Sequence, residues 1–411
     1  MQLISNAVYK GYYLFKVYTS IIFLFIFEKN CILINRLLHT IVYFTLFGIF
    51  ILCFCLQAYY LLGLQAKFCL HKIGESSQTN IQSVSVIICA RNEAKNLEKN
   101  LSYILAQQYP SFEVIVVNDC SYDTTEDVLK TFVEQYPNLL KVVHISEHPR
   151  HKTSKKFAAT LGIKASAHEI LVFTDADCRP QSPQWLGKMV AHYHNPNIEI
   201  VLGFSPYEAK NGFLNKLIRY ETCITAINYL ACAIIGKAYM GIGRNLSYKK
   251  SVFFKGKGFA SHMHIPSGDD DLFVNQHAKR HNVAIEYSAD AQVLSQPKTS
   301  FTSLWKQKIR HLGAGQNYKR VDKQRLTLQF LSGCLFYVLA VLLLVLKFMF
   351  LWVIAILMLR YFLQLIIYQK GLVKLQSKNL LGWIIFTDPL YYATIFLWSV
   401  ASLFTKKTTW K

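Results

Sequence analysis

No glycine-rich phosphate loop occurs in this sequence: neither G-x-G-x-x-G nor G-x-x-x-x-G-K-[ST] can be found. Their absence excludes dinucleotide-binding and P-loop nucleotide sites, in which such glycines let backbone amides approach a phosphate. Zinc-type C-x-x-C pairs are missing too, although ten cysteines are present. Several of them (Cys53, Cys55, Cys334) lie inside apolar runs. They read as small apolar side chains in a reducing compartment, not as a disulfide framework. Charge is also sparse. Charged residues make up 17% of the 411, and the 24 acidic ones are outnumbered by 45 Lys and Arg. A net charge of +21 calls for an anionic surface or substrate. No RNA-module signature accompanies it, so the expected partner is a membrane and not nucleic acid.

What the chain has in quantity is apolar and aromatic: 52% hydrophobic residues, with 28 Phe and 24 Tyr. "TIVYFTLFGIFILCFCLQAYYLLGL", from Thr40 to Leu64, contains no charge and is long enough to span a bilayer. Upstream, Ser20 to Phe27 is too short to span and reads as an interfacial segment. The apolar core starts late and no small-residue cleavage site follows it, which argues against a cleaved signal peptide. Three further apolar runs close the chain: Leu328 to Leu346, Phe348 to Tyr368 and Trp383 to Phe404. Lys347 separates the first two, Arg360 interrupts the second, and Asp388-Pro389 sits near the start of the third. The expected organisation is a membrane region over 1–66, a soluble domain over 67–324 and a second membrane region over 325–411. Lys67 and Lys72 on one flank, and Lys319, Arg320, Lys323 and Arg325 on the other, place the soluble domain in the cytoplasm, with the chain multi-pass in an inner or plasma membrane. Three C-terminal spans would put "KKTTWK" on the far side against that rule. Either the Asp388-Pro389 segment is re-entrant, or Leu328 to Tyr368 is not two full spans.

The soluble domain alternates strand and helix. Strands are expected at Val84–Cys89, Glu113–Val117, Leu139–Ile145 and Glu169–Phe173, with helices at Asn92–Gln107, Thr124–Gln135 and Lys155–Ala165. Ser121 or Asp123 is a candidate cap for the second helix. Such alternation gives a mostly parallel α/β sheet, which binds ligands beyond the carboxyl ends of its strands. Polar clusters follow three strands directly: Arg91-Asn92-Glu93, Asn118-Asp119 and Asp175/Asp177. The Asp-x-Asp of "FTDADCRP" suits Mg²⁺ or Mn²⁺, hard ions that take one or two carboxylates plus substrate phosphates. A bound ion would neutralise a diphosphate and improve it as a leaving group.

Taken in order, "VSVIICARNEAKNL", "VIVVNDCSYDTTEDVL" and "FTDADCRP" resemble the family 2 glycosyltransferases, in particular membrane-embedded enzymes of the poly-N-acetylglucosamine and cellulose synthase type. The resemblance covers Ser83 to Tyr318. It implies a GT-A type α/β domain and a nucleotide-diphospho-sugar donor. Ala90, Arg91 and Glu93 match the turn beside the nucleotide, and Asp119 matches the aspartate at the base. Asp175 and Asp177 match the pair that holds metal and diphosphate. "SGDDDLF" resembles the acceptor-side Glu-Asp-x-Asp-Leu stretch, which puts Asp269 at the general base and Gly268 in place of the usual glutamate. The plainer reading of Asp269, Asp270 and Asp271 is a cap on the helix that follows. "QKIRH" resembles Gln-x-x-Arg-Trp, with Gln307 and Arg310 retained and His311 in place of tryptophan, and "GIGRNLSYKKSVF" resembles the small-residue loop near the acceptor. The same helix, with Leu304, Ile309 and Leu312 among basic residues, also reads as an amphipathic segment on the membrane surface. The expected reaction is inverting transfer of a sugar to a lipid-linked or growing glycan acceptor. The alternatives are a processive synthase that threads its own product across the membrane, and a catalytically idle scaffold.

Overall fold

A computed structural model describes residues 35–74, 82–146, 154–265 and 267–404, together with 19, 23 and 29. The Ser20–Phe27 segment, apart from Phe23, and the final "KKTTWK" lie outside the described residues. The chain divides into two compact units, residues 1–55 with 335–358 and residues 56–334 with 359–411. The smaller is a helical cluster around Phe50, Cys53, Phe336, Leu339 and Leu343, with Phe50 stacked on Phe336 at 4.9 Å between centroids.

The larger unit is built on a seven-stranded sheet in the order β3-β2-β1-β4-β7-β6-β8. Strands β1 (Val84–Ala90), β2 (Phe112–Asp119), β3 (Leu140–Ile145) and β4 (Ile170–Asp175) run parallel. Beyond them β7 (Leu246–Lys249) lies antiparallel to β4, and β6 (Ile200–Leu202) antiparallel to β7, while β8 (Val283–Ile285) is parallel to β6. A separate ribbon pairs β5 (Cys178–Pro180) with β9 (Val293–Ser295).

The two-residue period of a strand decides which helix each side chain meets. Val84, Val86 and Ile88 pack with Leu97, Leu101 and Ile104 of the Ala94–Leu105 helix. Ile87 joins Ala159 and Ile163 of the Lys155–Ala165 helix on the other face. Gly162 lets that helix settle onto the sheet, since a Cβ there would lie 2.8 Å from Ile87 Cγ2 and 3.0 Å from Val117 Cγ2. Each fully buried Val, Leu or Ile contributes roughly 1.5–3 kcal/mol.

Among the described residues four helices are long and apolar enough to cross a membrane: Asn35–Leu70, Arg320–Val345, Phe350–Lys374 and Lys378–Ser402. All four expected runs are therefore helical. Each of the first three extends past its apolar stretch, because flanking polar residues continue the helix without being apolar. The break expected at Lys347 is a turn in which Lys347 and Met349 both take positive φ.

Candidate active site

Strand register brings three polar strand ends level. Ala90 pairs with Asn118 and Cys89 with Asp175, so the chain leaves β1, β2 and β4 at one edge of the sheet. Turns after β1 and β2 are then cross-bonded. Asn92, at φ +55°, donates its N–H to Ser121 Oγ (2.9 Å), and its side-chain carbonyl accepts from Tyr122 N–H (3.0 Å). Asp123, one residue before the N-cap Thr124, accepts from the first residue of two helices, Oδ1 from Thr125 N–H (3.0 Å) and Oδ2 from Ala94 N–H (3.3 Å). Of the two candidate caps, Asp123 holds the helix starts and Ser121 holds the neighbouring turn.

Asp119 ends β2 completely buried, and neither carboxylate oxygen has a hydrogen-bond partner among the described residues. Burial pushes its carboxyl above the usual range, partly offset by Arg91 and the Cys120 thiol. A buried acceptor of this kind is costly until a donor reaches it.

At the end of β4, ligand atoms of Asp175, Asp177 and Cys178 lie within 4.8 Å of one another. Burial first, then Asp177 and Asp175, hold the Cys178 thiol well above its usual value, so it stays protonated. The two carboxylates are the ligands a hard divalent cation prefers, and the donor set fits one. Lys155, the first residue of its helix, reaches over with Nζ 2.8 Å from Asp175 Oδ1 and 3.2 Å from Asp269 Oδ2. Burial disfavours its charge, but Asp175, Asp269 and Asp270 outweigh burial and hold the ammonium well above the usual lysine range.

Three consecutive aspartates take separate tasks. Gly268, at φ +91°, turns the chain in a way a glutamate would resist. Asp270 caps the Asp271–His277 helix through Asp271 N–H (2.8 Å), and its other oxygen accepts from Gly243 N–H (2.6 Å). Asp271 accepts from Leu272 N–H (2.7 Å) and Tyr318 Oη (2.8 Å), while burial and then Asp270 push its carboxyl up to about 8. Asp269 alone turns to Lys155. Capping is thus the work of Asp270 and Asp271.

All of this opens into one cavity of about 850 Å³. Arg91, Glu93, Asp175, Asp177, Asp269, Gln307 and Arg310 line it, whereas Ala90 and Asp119 do not. Gln307 and Arg310 come from the Phe301–Gly315 helix, which buries Leu304, Ile309 and Ala314 and leaves Phe301 and Trp305 exposed. Leu304 packs with Tyr207, Ile218 and Trp398. Water reaches His311 through the cavity. Lys308, Arg310, Arg244 and Lys155 stand around that imidazole and disfavour its charged form. The far wall is apolar and helical: Phe330 and Leu331 from the Arg320–Val345 helix, Ile395, Phe396 and Trp398 from the Ile384–Phe404 helix.

Sequence patterns missed Lys155, Arg244 and Tyr207. Arg244 stacks over the Tyr207 ring at 4.4 Å, and Tyr207 Oη accepts from Gln307 Nε2 (3.3 Å). Only the basic doublet Lys155-Lys156 opening a helix next to a strand end hinted at the first. Nothing local marks the other two.

Residues 85–255 match the family model described as Glycosyl transferase family 2. Glycosyltransferase AglE of Haloferax volcanii is 34% identical over 131 residues, covering 31% of this chain and 41% of that protein. Poly-beta-1,6-N-acetyl-D-glucosamine synthase of Staphylococcus epidermidis is 24% identical over 243 residues, 59% of this chain and 56% of the relative. Among solved structures, the mannosyltransferase PcManGT of Pyrobaculum calidifontis, in complex with GDP-Man and Mn2+, aligns with a TM-score of 0.56 at 19% identity over 86% of this chain and 98% of its own. At that identity the likeness speaks for the fold. These matches span only 41% and 56% of the two curated relatives' own lengths.

Proposed function

Because the chain carries a family 2 glycosyltransferase domain of GT-A fold in a membrane protein, we propose that it moves a sugar from a nucleotide-diphospho-sugar to an acceptor delivered from the membrane side, with inversion. One observation carries this reading: a single cavity joins the carboxylate cluster Asp175, Asp177 and Asp269 to an apolar wall of membrane-type helices. Asp175 and Asp177 would hold Mg²⁺ or Mn²⁺, which supplies charge neutralisation for the donor diphosphate when bound. The buried Asp119 carboxylate, behind the cavity lining, would accept from the nucleobase, with Arg91 and Glu93 on the neighbouring wall and Ala90 buried behind them. Arg310 and Lys155 offset phosphate charge, and Gln307 orients the sugar.

In the reaction the acceptor hydroxyl oxygen bonds to the anomeric carbon while the bond from that carbon to the diphosphate oxygen breaks. Asp269 takes the hydroxyl proton, and the nucleoside diphosphate leaves with the electron pair. Basic flanks on both sides of the domain support a cytoplasmic site on a plasma membrane. A lipid-linked glycan fits the apolar wall, and cell-envelope polysaccharide synthesis is the corresponding role.

A second reading, processive synthesis, draws on the continuation of the cavity along the Arg320–Val345 and Ile384–Phe404 helices. Against it stands His311, whose smaller, polar ring alters the tryptophan shelf of the Gln-x-x-Arg-Trp motif. Release of sugar from UDP-N-acetylglucosamine and GDP-mannose by membranes containing the full chain tests the enzymatic reading. Turnover should need added Mg²⁺ or Mn²⁺ after EDTA treatment, and Asp177→Asn should abolish it. Undiminished turnover by that variant would show the carboxylate assignment to be wrong.

A further inference from the structure

Two charges set inside apolar runs, Arg360 and Asp388, face each other. Arg360 Nη2 lies 2.9 Å from Asp388 Oδ2, and the residues are 5% and 2% exposed. Asp388 Oδ1 accepts from Tyr220 Oη (2.5 Å) and Gln364 Nε2 (2.8 Å). Gln364 Oε1 in turn accepts from Arg360 Nη1 (3.2 Å), which closes a ring of polar contacts. The ring ties together the Phe350–Lys374, Ile384–Phe404 and Phe213–Ile234 helices. Cohesion alone does not explain it, since well-packed apolar residues would serve as well or better than a buried ion pair. What an arginine–carboxylate contact adds is direction, because its geometry is fixed.

That direction bears on the cavity. Further along the helix that carries Asp388, Ile395, Trp398 and Ser399 line the cavity, and Trp398 packs on Leu304. Beside Tyr220, the carboxylate of Glu221 pairs with Lys308 of the helix that presents Gln307 and Arg310. The ring therefore meets two helices that both flank the Phe301–Gly315 helix.

We infer that Arg360 and Asp388 are positioning residues for acceptor transfer, fixing the rotation and height of the Ile384–Phe404 helix against the helix bearing Gln307 and Arg310. They act through those residues and touch no reacting atom. The inference rests on the transferase reading above and adds a role which that reading does not require.

The test uses membranes containing the full chain, with radiolabelled UDP-N-acetylglucosamine and GDP-mannose as donor probes. It reads the ratio of label moved to membrane-bound product to label released as free sugar. Asp388→Asn leaves Arg360 without its counter-charge and should lower the ratio about 10- to 100-fold, the scale of an ångström-level misplacement. The double variant Arg360→Gln/Asp388→Asn should recover most of it, and Tyr220→Phe should lower it modestly. A merely structural role reduces both activities in proportion to folded protein and leaves the ratio unchanged, which overturns the inference. So does a folded Asp388→Asn chain with the wild-type ratio. If Asp388→Asn yields no folded chain, Tyr220→Phe and the double variant decide by the same ratio. A wild-type chain with neither activity refutes the transferase reading itself, and this inference with it.

Discussion

Replacing Asp119 with asparagine should make the ligand-free protein more stable and its nucleotide binding weaker. The carboxylate is 0% exposed, neither oxygen meets a hydrogen-bond donor at normal geometry among the described residues, and burial raises its pKa more than the nearby Arg91 and Cys120 thiol lower it. A group whose folded pKa is raised stabilises fully below its unfolded value and loses that contribution as pH rises through the folded one. Above about pH 4, then, the wild-type fold carries an increasing cost that the amide does not. An unsatisfied buried group costs about 1–3 kcal/mol, and a domain of 150–250 residues shifts by about 2–4 °C per kcal/mol. Melting at pH 8 without nucleotide should rise by at most about 12 °C, since the buried amide keeps part of the desolvation cost, and the gain should shrink towards pH 4. Hydrogen bonds to a charged acceptor contribute about 1.5–3 kcal/mol, so UDP or GDP should bind roughly 10- to 150-fold more weakly. Thermal melting of the solubilised full chain at pH 5 and pH 8, with and without each nucleotide, measures both effects. A lower melting temperature at pH 8, with the nucleotide-induced shift intact, would refute the reasoning and make Asp119 a structural carboxylate.

Asp269→Asn should leave donor binding near wild type and lower the chemical rate by about 10²–10⁴, the usual worth of a general base; single-turnover kinetics beside nucleotide titration separate the two, and lost binding with an unchanged rate would reduce Asp269 to a partner that holds Lys155. Asp271, raised to about 8, stabilises fully below about pH 4 and loses that contribution as pH climbs through about 8. Asp271→Asn should therefore flatten the fall in melting temperature over that interval, and an unchanged slope argues that another group titrates. Trp305→Ser with Leu312→Ser should reduce transfer to a membrane-borne acceptor far more than donor hydrolysis, because Trp305 is exposed while Leu312 packs towards Leu304 and Trp398; equal loss of both activities counts against the membrane-side acceptor.

The legible parts of this molecule were those with long periodic signals. Four parallel strands and three intervening helices showed in the alternation of apolar residues, and Asp119, Asp175 and Asp177 stood out because each lies at or just past the end of a strand. Strands β6, β7 and β8, of three or four residues, are too short to show a period. "GIGRNLSYKK" reads as a loop although Leu246–Lys249 is a sheet strand. Lys155 was hidden for another reason: its partners Asp175 and Asp269 are remote in sequence, and only the crossover from helix to sheet brings them together. Arg360 and Asp388 each looked like a defect in an apolar run, and in the fold each neutralises the other.

The turn beginning at Asn92 and the turn ending at Thr125 share four hydrogen bonds: Asn92 N–H to Ser121 Oγ, Glu93 N–H to Thr125 Oγ1, Ala94 N–H to Asp123 Oδ2, and Tyr122 N–H to the Asn92 side-chain carbonyl. For protein engineering this makes them a single inheritable cassette. A graft that imports one turn from a relative with another nucleotide preference would strip the other of its bonding partners. Residues 91–96 and 119–125 are therefore best moved together, since a library that varies one while holding the other fixed forfeits hydrogen bonds worth about 1 kcal/mol each.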